Sequence, residues 1–198
     1  MTGRTFMRAL PGVAALAALI APTLRPVSLG AAPHRTEEVR FERGALRLER
    51  AGEEVAVRYP GTTPAPAGAP DLPRLAVWVE IPAGMRVAAV RAEPVGVEEL
   101  GVVRVRPAVE RQVDGPEAEA APDPAIYGGG GAYPAAWAEL ATEGSLRGHR
   151  VAAVVVAPAR WEVATGRLVA ASAVKVTLEL EPGEPAGAEA VERHRVVR

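Results

Sequence analysis

The chain reads as an all-β protein, an antiparallel β-sandwich, and three observations predict it. Apolar and charged residues alternate with period two in tract after tract, the pattern of strands with one face in a core and one in water. Gly 20 and Pro 19 break a chain that is 48% hydrophobic into pieces too short for long helices. The stretch "ARWEVATGRLVAA" (159–171) sets apolar residues on both sides of Ala-Thr-Gly, a turn that folds the chain back on itself.

Taken in order, the first tract is not part of that body. Arg4 and Arg8 precede "PGVAALAALIAP", and small residues follow at Ser28, Gly30, Ala31 and Ala32, the order of a secretory signal segment over 1–32. The apolar run Val13 to Ile20 lies between Pro11 and Pro22 and falls well short of the ~20 residues that span a bilayer, so no stable membrane span is expected. From 33 to 183 the sandwich is expected. Leu46 and Leu48 alternate with Arg47 and Glu49, then Val55, Val57 and Tyr59 with Glu54 and Arg58, giving two antiparallel strands. "TTPAPAGAPDLP" (62–73) holds too many prolines to donate to a ladder and is read as a loop crossing between layers.

"RLAVWVEIP" places Leu75, Val77, Val79 and Ile81 on one side and Ala76, Trp78 and Glu80 on the other. "GMRVAAVRAEPV" and "LGVVRVRP" supply two more strands, the second with Val103 and Val105 inward and Arg104 and Arg106 outward. The pattern fails from Arg111 to Pro124, where acidic residues and prolines, followed by Gly128 to Gly131, predict an exposed excursion. Trp137 and Leu140, three apart in "PAAWAELA", suggest a short helix. "HRVAAVVVAP" is apolar on both faces, as a central strand is, and "VKVTLEL" turns Val174, Val176, Leu178 and Leu180 inward. The residues from 184 to 198 carry no partner pattern and are read as a disordered linker or tail. Roughly seven to ten strands are expected in all.

Little in the chain supports chemistry of its own. Net charge is -1, so there is no concentrated basic surface for nucleic acid. With no cysteine there is no disulfide, zinc-thiolate site or thiol nucleophile within it. Ser145 stands four residues before His149 without a nucleophile elbow or a third orienting group. His34, His149 and His194 lack metal-ligand spacing. Glu98 with Glu99, and Glu117 and Glu119 with Asp123, lack the spacing of a calcium loop, and the four glycines lack the Lys-Ser/Thr of a phosphate loop. Trp78, Trp137 and Trp161 are read as core residues, and no cofactor is expected.

Two blocks carry a resemblance. In "GSLRGHRVAAVVVAPARWEVATGRLVAASAVKVTLEL" an Arg147-Gly148 pair leads into a strand, followed by Pro158, Trp161, a turn to Gly166, Leu168 and a Val-rich strand from Val174 to Leu180. Upstream, Gly68, Pro70, Leu72 and Pro73 give Gly-x-Pro-x-Leu-Pro, and Tyr127, Tyr133 and Pro134 stand between the blocks. In this order they resemble the gingipain-type propeptide domain, the N-terminal prodomain of secreted gingipain-like cysteine peptidases, over roughly residues 50 to 182. Trp161-Glu162-Val163 departs from the commoner Tyr-Asn-Pro of that family.

The resemblance implies a non-catalytic domain that binds the peptidase catalytic domain, in cis or from a neighbouring gene. It would hold the enzyme latent and assist its folding. An exposed loop would lie across the active-site cleft, with a basic side chain filling an acidic specificity pocket. Arg111 is the first candidate and Arg106 the second. The signal segment implies a secreted or cell-envelope protein. The alternative is a stand-alone secreted β-sandwich serving as a binding or adhesion module.

Overall fold

Alternating tracts are drawn into two cores. The computed structural model describes residues 33–110 and 118–183; the expected signal segment, the expected tail and Arg111 lie outside the described residues. Strand β1 (His34–Arg40) pairs antiparallel with β13 (Ala173–Pro182), which pairs on its other side with β5 (Met85–Val95). A second sheet has β10 (His149–Val156) at its centre between β4 (Leu75–Glu80) and β9 (Ala138–Leu146). The inner faces of these sheets meet in the first core. β13 supplies Val174, Val176, Leu178 and Leu180, facing Val79 of β4 and Ala152, Val154 and Val156 of β10. The inward set predicted for "VKVTLEL" is the observed one, and β10 is buried along most of its length, as a central strand is.

The second core is built from shorter pieces. β6 (Glu98–Val102), β12 (Arg167–Ala170), β11 (Ala159–Glu162) and β8 (Ala132–Tyr133) form one antiparallel sheet in that order. β2 (Arg47–Ala51), β3 (Glu54–Arg58) and β7 (Arg104–Val105) form the other, with β3 and β7 parallel. Val55, Val57, Leu72, Val105, Ala159, Trp161 and Leu168 fill the space between. The chain passes between the two halves six times, at residues 41–46, 59–74, 96–97, 134–137, 157–158 and 171–172.

Several expectations are corrected here. Thirteen strands stand among the described residues rather than seven to ten, because tracts such as "LGVVRVRP" break into two short pairings with different partners. The helix expected at 134–141 is instead the entry to strand β9: Trp137 precedes the strand and Leu140 lies within it, so their three-residue spacing arises without a helical turn. The one α-helix among the described residues is α1 (Pro124–Tyr127), a single turn with Pro124 in its first position and the Asp123 carboxylate accepting from the Ala125 N–H at 2.9 Å. Trp137 and Trp161 are buried as expected, but Trp78 is 57% exposed on the outer face of β4. No helix among the described residues is long and apolar enough to cross a membrane.

Candidate functional site

The proline-rich run 62–73 is the part of the chain that organises a site. Its prolines deny it a regular ladder, and it turns at Gly68, whose φ of +81° is a left-handed conformation that glycine adopts without strain. A Cβ there would stand 2.7 Å from the Ala121 carbonyl oxygen, so both conformation and space call for glycine. The turn then works as a rail. The Gly68 N–H donates to the Ala108 carbonyl at 2.9 Å, the Ala108 N–H to Ala69 at 2.7 Å, and the Asp71 N–H to Arg106 at 2.9 Å. On its other side the Asp123 N–H donates to the Gly68 carbonyl at 2.9 Å. One loop thereby grips both strands of chain that flank residues 111–117. Those strands also grip each other, through reciprocal Glu110 and Ala118 backbone hydrogen bonds of 2.9 and 3.0 Å.

Within the rail sits Asp71, only 6% exposed. Its carboxylate accepts from Arg58 at both guanidinium termini, at 2.7 and 2.9 Å, and from the Arg106 Nε at 3.3 Å. A carboxylate out of water needs such partners, and the fork of Arg58 matches it in the bidentate manner. The hydrogen bond to Asp71 is the largest influence raising the Arg58 pKa above its ordinary value. Arg106, the second candidate for a projecting arginine, is therefore placed on Asp71 inside the root of the segment, half-buried. The expectation that it points outward like Arg104 is corrected: Arg104 is exposed and Arg106 is held. Arg111, the first candidate, lies outside the described residues.

Beside the root runs an open cleft of about 580 Å³, lined by Trp161, Tyr127, Val103, Arg104, Arg50 and Glu53 among others. The two rings pack with centroids 5.5 Å apart. Their polar atoms are already used: the Trp161 Nε1–H donates to the Val103 carbonyl at 2.9 Å, and the Tyr127 hydroxyl to the Val105 carbonyl at 3.0 Å. Burial pushes the Tyr127 phenol above its ordinary range, so it stays neutral. The cleft thus has an aromatic and aliphatic floor and a rim charged by Arg50, Glu53 and Arg104.

The residues that carry the resemblance fall in three places. Gly68, Pro70, Leu72 and Pro73 belong to the rail, all four buried. Pro158, Trp161, Gly166 and Leu168 make the hairpin under the cleft. Pro158 is fully buried and its carbonyl accepts from Ala171 at 3.0 Å, while Leu168 has no exposed surface. Gly166, at φ +72°, accepts from the Val103 N–H at 2.8 Å, and a Cβ on it would sit 3.1 Å from the Val103 oxygen. Arg147 and Gly148 form the tip between β9 and β10, with φ of +51° and +86°, the handedness of a two-residue hairpin turn. The acidic residues weighed for chemistry are separated: Glu98 pairs with Arg43, Glu99 reaches Arg167 at 3.9 Å, and Asp123 caps α1. His149 meets Glu80 at 2.9 Å on an open, exposed strand pair.

Sequence reasoning missed Asp71. The signal available was its isolation, the one charge in the proline-rich run from Pro64 to Pro73.

No family model and no curated protein matches the chain in sequence. Solved structures do resemble it. A chain of the complex of Porphyromonas gingivalis RgpB pro- and mature domains superposes with a TM-score of 0.61 at 20% identity, covering 84% of this chain and 93% of that one. A structure described as addressing zymogenic latency of gingipain K from Porphyromonas gingivalis gives a TM-score of 0.48 at 17% identity, over 78% of this chain and 96% of that one. Two sandwiched cores, a glycine rail and a nearly all-β course over residues 33–110 and 118–183 thus make up a gingipain propeptide-like fold.

Proposed function

We propose that the chain is the non-catalytic N-terminal prodomain of a secreted gingipain-like cysteine peptidase, acting as a latency inhibitor and folding aid. The observation that carries this reading is the likeness to a chain of the RgpB pro- and mature-domain complex across most of both chains. The rail supports it physically. A loop presented to a protease cleft resists cleavage best when its two ends are fixed, and Gly68, Asp71 and the Glu110–Ala118 pair fix the ends of residues 111–117. In this reading Arg111 fills an acidic specificity pocket, Arg106 serves as ballast for the root, and the cleft beside Trp161 is a further contact. The peptidase supplies the catalytic Cys and His, in cis or from a neighbouring gene, and residues 1–32 direct export.

The test is a titration of the full chain into a gingipain-like cysteine peptidase, with circular dichroism to confirm folding. Inhibition is expected, weakened at least about tenfold, roughly 1.4 kcal/mol, by Arg111→Ala and also weakened by Gly68→Ala, which displaces the root. A folded chain that leaves the peptidase fully active at micromolar concentration sinks the inhibitor reading. Inhibition undiminished by Arg111→Ala removes the arginine from it. Amino-terminal sequencing of the exported protein checks the signal segment, with a first residue near Pro33 expected.

A further inference from the structure

The edges of the sheets are unequally guarded. An end strand presents unpaired backbone groups, and folded proteins blunt it with charges. β1 does so with Arg35, Glu37, Glu38 and Arg40, β2 with Arg47, Glu49 and Arg50, and β6 with Glu98 and Glu99. β4, also at the end of its sheet, does not: Leu75, Ala76, Val77, Trp78 and Val79 run unbroken between Arg74 and Glu80.

The backbone directions of β4 follow from its two ends. The Ile81 N–H donates to the Arg150 carbonyl at 3.0 Å, towards β10, while the Arg74 carbonyl accepts from the Thr63 N–H at 2.7 Å on the opposite side. Successive residues alternate, so the N–H and C=O groups of Ala76, Trp78 and Glu80 face the open edge. Thr63 closes that edge at Arg74, leaving Ala76 to Glu80. Above it the Trp78 side chain is 57% exposed, and its neighbour across the pairing with β10 is Ala153.

We propose that this edge seats a second copy of the chain, β4 against β4, antiparallel and centred on Trp78. That register sets Trp78 opposite the second copy's Trp78, and Ala76 opposite the second copy's Glu80. All three residues then use their outward backbone groups. It also places Glu80 of each copy diagonal to Arg74 of the other, an attraction that twofold symmetry provides twice. Parallel pairing would instead set Arg74 beside Arg74 and Glu80 beside Glu80, which repel. Within one copy Arg74 meets Glu139 of β9 at 2.6 Å and Glu80 meets His149 of β10 at 2.9 Å, so both side chains lie over the outer face on the β10 side and turn towards the open edge when the second copy docks. This proposal needs no peptidase and stands whether or not the reading above does.

The test is sedimentation equilibrium of the full chain across a concentration series. A concentration-dependent doubled mass is expected. Trp78→Lys and Ala76→Pro should each weaken self-association at least about tenfold, because proline at 76 removes an edge N–H and spares the ladder to β10. Should Ala76→Pro misfold, Trp78→Lys with an unchanged circular dichroism spectrum decides. The register is read separately. The chain has no cysteine, and residues opposed in a hydrogen-bonded pair stand about 5.5 Å apart, within reach of a disulfide. Ala76→Cys and Glu80→Cys should therefore cross-link on oxidation when mixed and not singly. A monomer at every concentration, a dimer indifferent to Trp78→Lys, or cross-links within either single variant would overturn the proposal.

Discussion

The two halves of the molecule reach stability by different means. In the first, the long strands β13, β5, β10 and β9 stack aliphatic side chains over one another with Phe41 and Trp137, around a polar tie in which the Glu143 side chain, 2% exposed, accepts from the Val87 N–H at 3.1 Å beside Arg150. In the second, the pairings are short and one of them is parallel. There the gaps are closed by specific hydrogen bonds: Trp161 to Val103, Tyr127 to Val105, and Asp71 to Arg58 and Arg106. Aliphatic packing tolerates change of shape as long as volume is kept. A buried polar tie tolerates little, since removing one partner strands the other. The half that carries the root of residues 111–117 thus leans more on direction, and the other more on volume.

The contrast can be broken most strongly at Leu178, 1% exposed in the first core. Leu178→Ala should lower unfolding free energy by about 3 kcal/mol in a denaturant titration, as for other buried leucines truncated to alanine. Next comes Asp71→Asn, which leaves Arg58 and Arg106 facing an amide. Both guanidiniums are about one-third exposed, so water compensates in part and about 2 kcal/mol is expected. The two variants should differ in where protection falls. Amide exchange after Asp71→Asn should rise most at Val57 and Asp71, whose N–H groups bond within the root, and least at Val154.

Trp161→Phe keeps the ring packing and removes the Nε1–H, costing about 1 kcal/mol through the stranded Val103 carbonyl. The smallest effect is at the β11–β12 turn, where the hydrogen bond from Arg167, with help from Thr165, holds the exposed Glu162 carboxyl below its usual range. A depressed carboxyl stabilises the fold above its unfolded pKa and loses that contribution as pH falls through the folded one. Glu162→Gln should therefore melt slightly below the parent at neutral pH, and the gap should vanish in acid.

The sequence is most legible where period two runs uninterrupted. "VKVTLEL" and "RLAVWVEIP" reveal their faces because a strand with one wet side must alternate, and "HRVAAVVVAP" reveals a central position by failing to. Alternation marks a face but not its neighbour, so Trp78 could be assigned to a side and not seen to lie uncovered. The prolines of the rail mark it as a crossing loop, and it does cross between the halves. Its burial and its grip on Ala108 and Asp123 depend on contacts far apart in the chain. Asp71 shows the same limit from the other direction. A lone carboxylate among prolines gives no hint of two arginines, one 13 residues before it and one 35 after. The one-turn α1 escaped notice because its signals, Asp123 and Pro124, sit in a stretch otherwise without pattern.

The six passages between halves have a consequence for how this unit is inherited and handled. Neither core belongs to a continuous piece of gene: each is assembled from segments that alternate along the chain, with β13 at the end completing a sheet begun by β1. A cut in any crossing leaves both pieces with strands of each core missing, so neither half is expected to fold from a terminal deletion. Interleaving of this kind leads us to expect one melting transition for both halves, through which a defect in either would reach the root of residues 111–117.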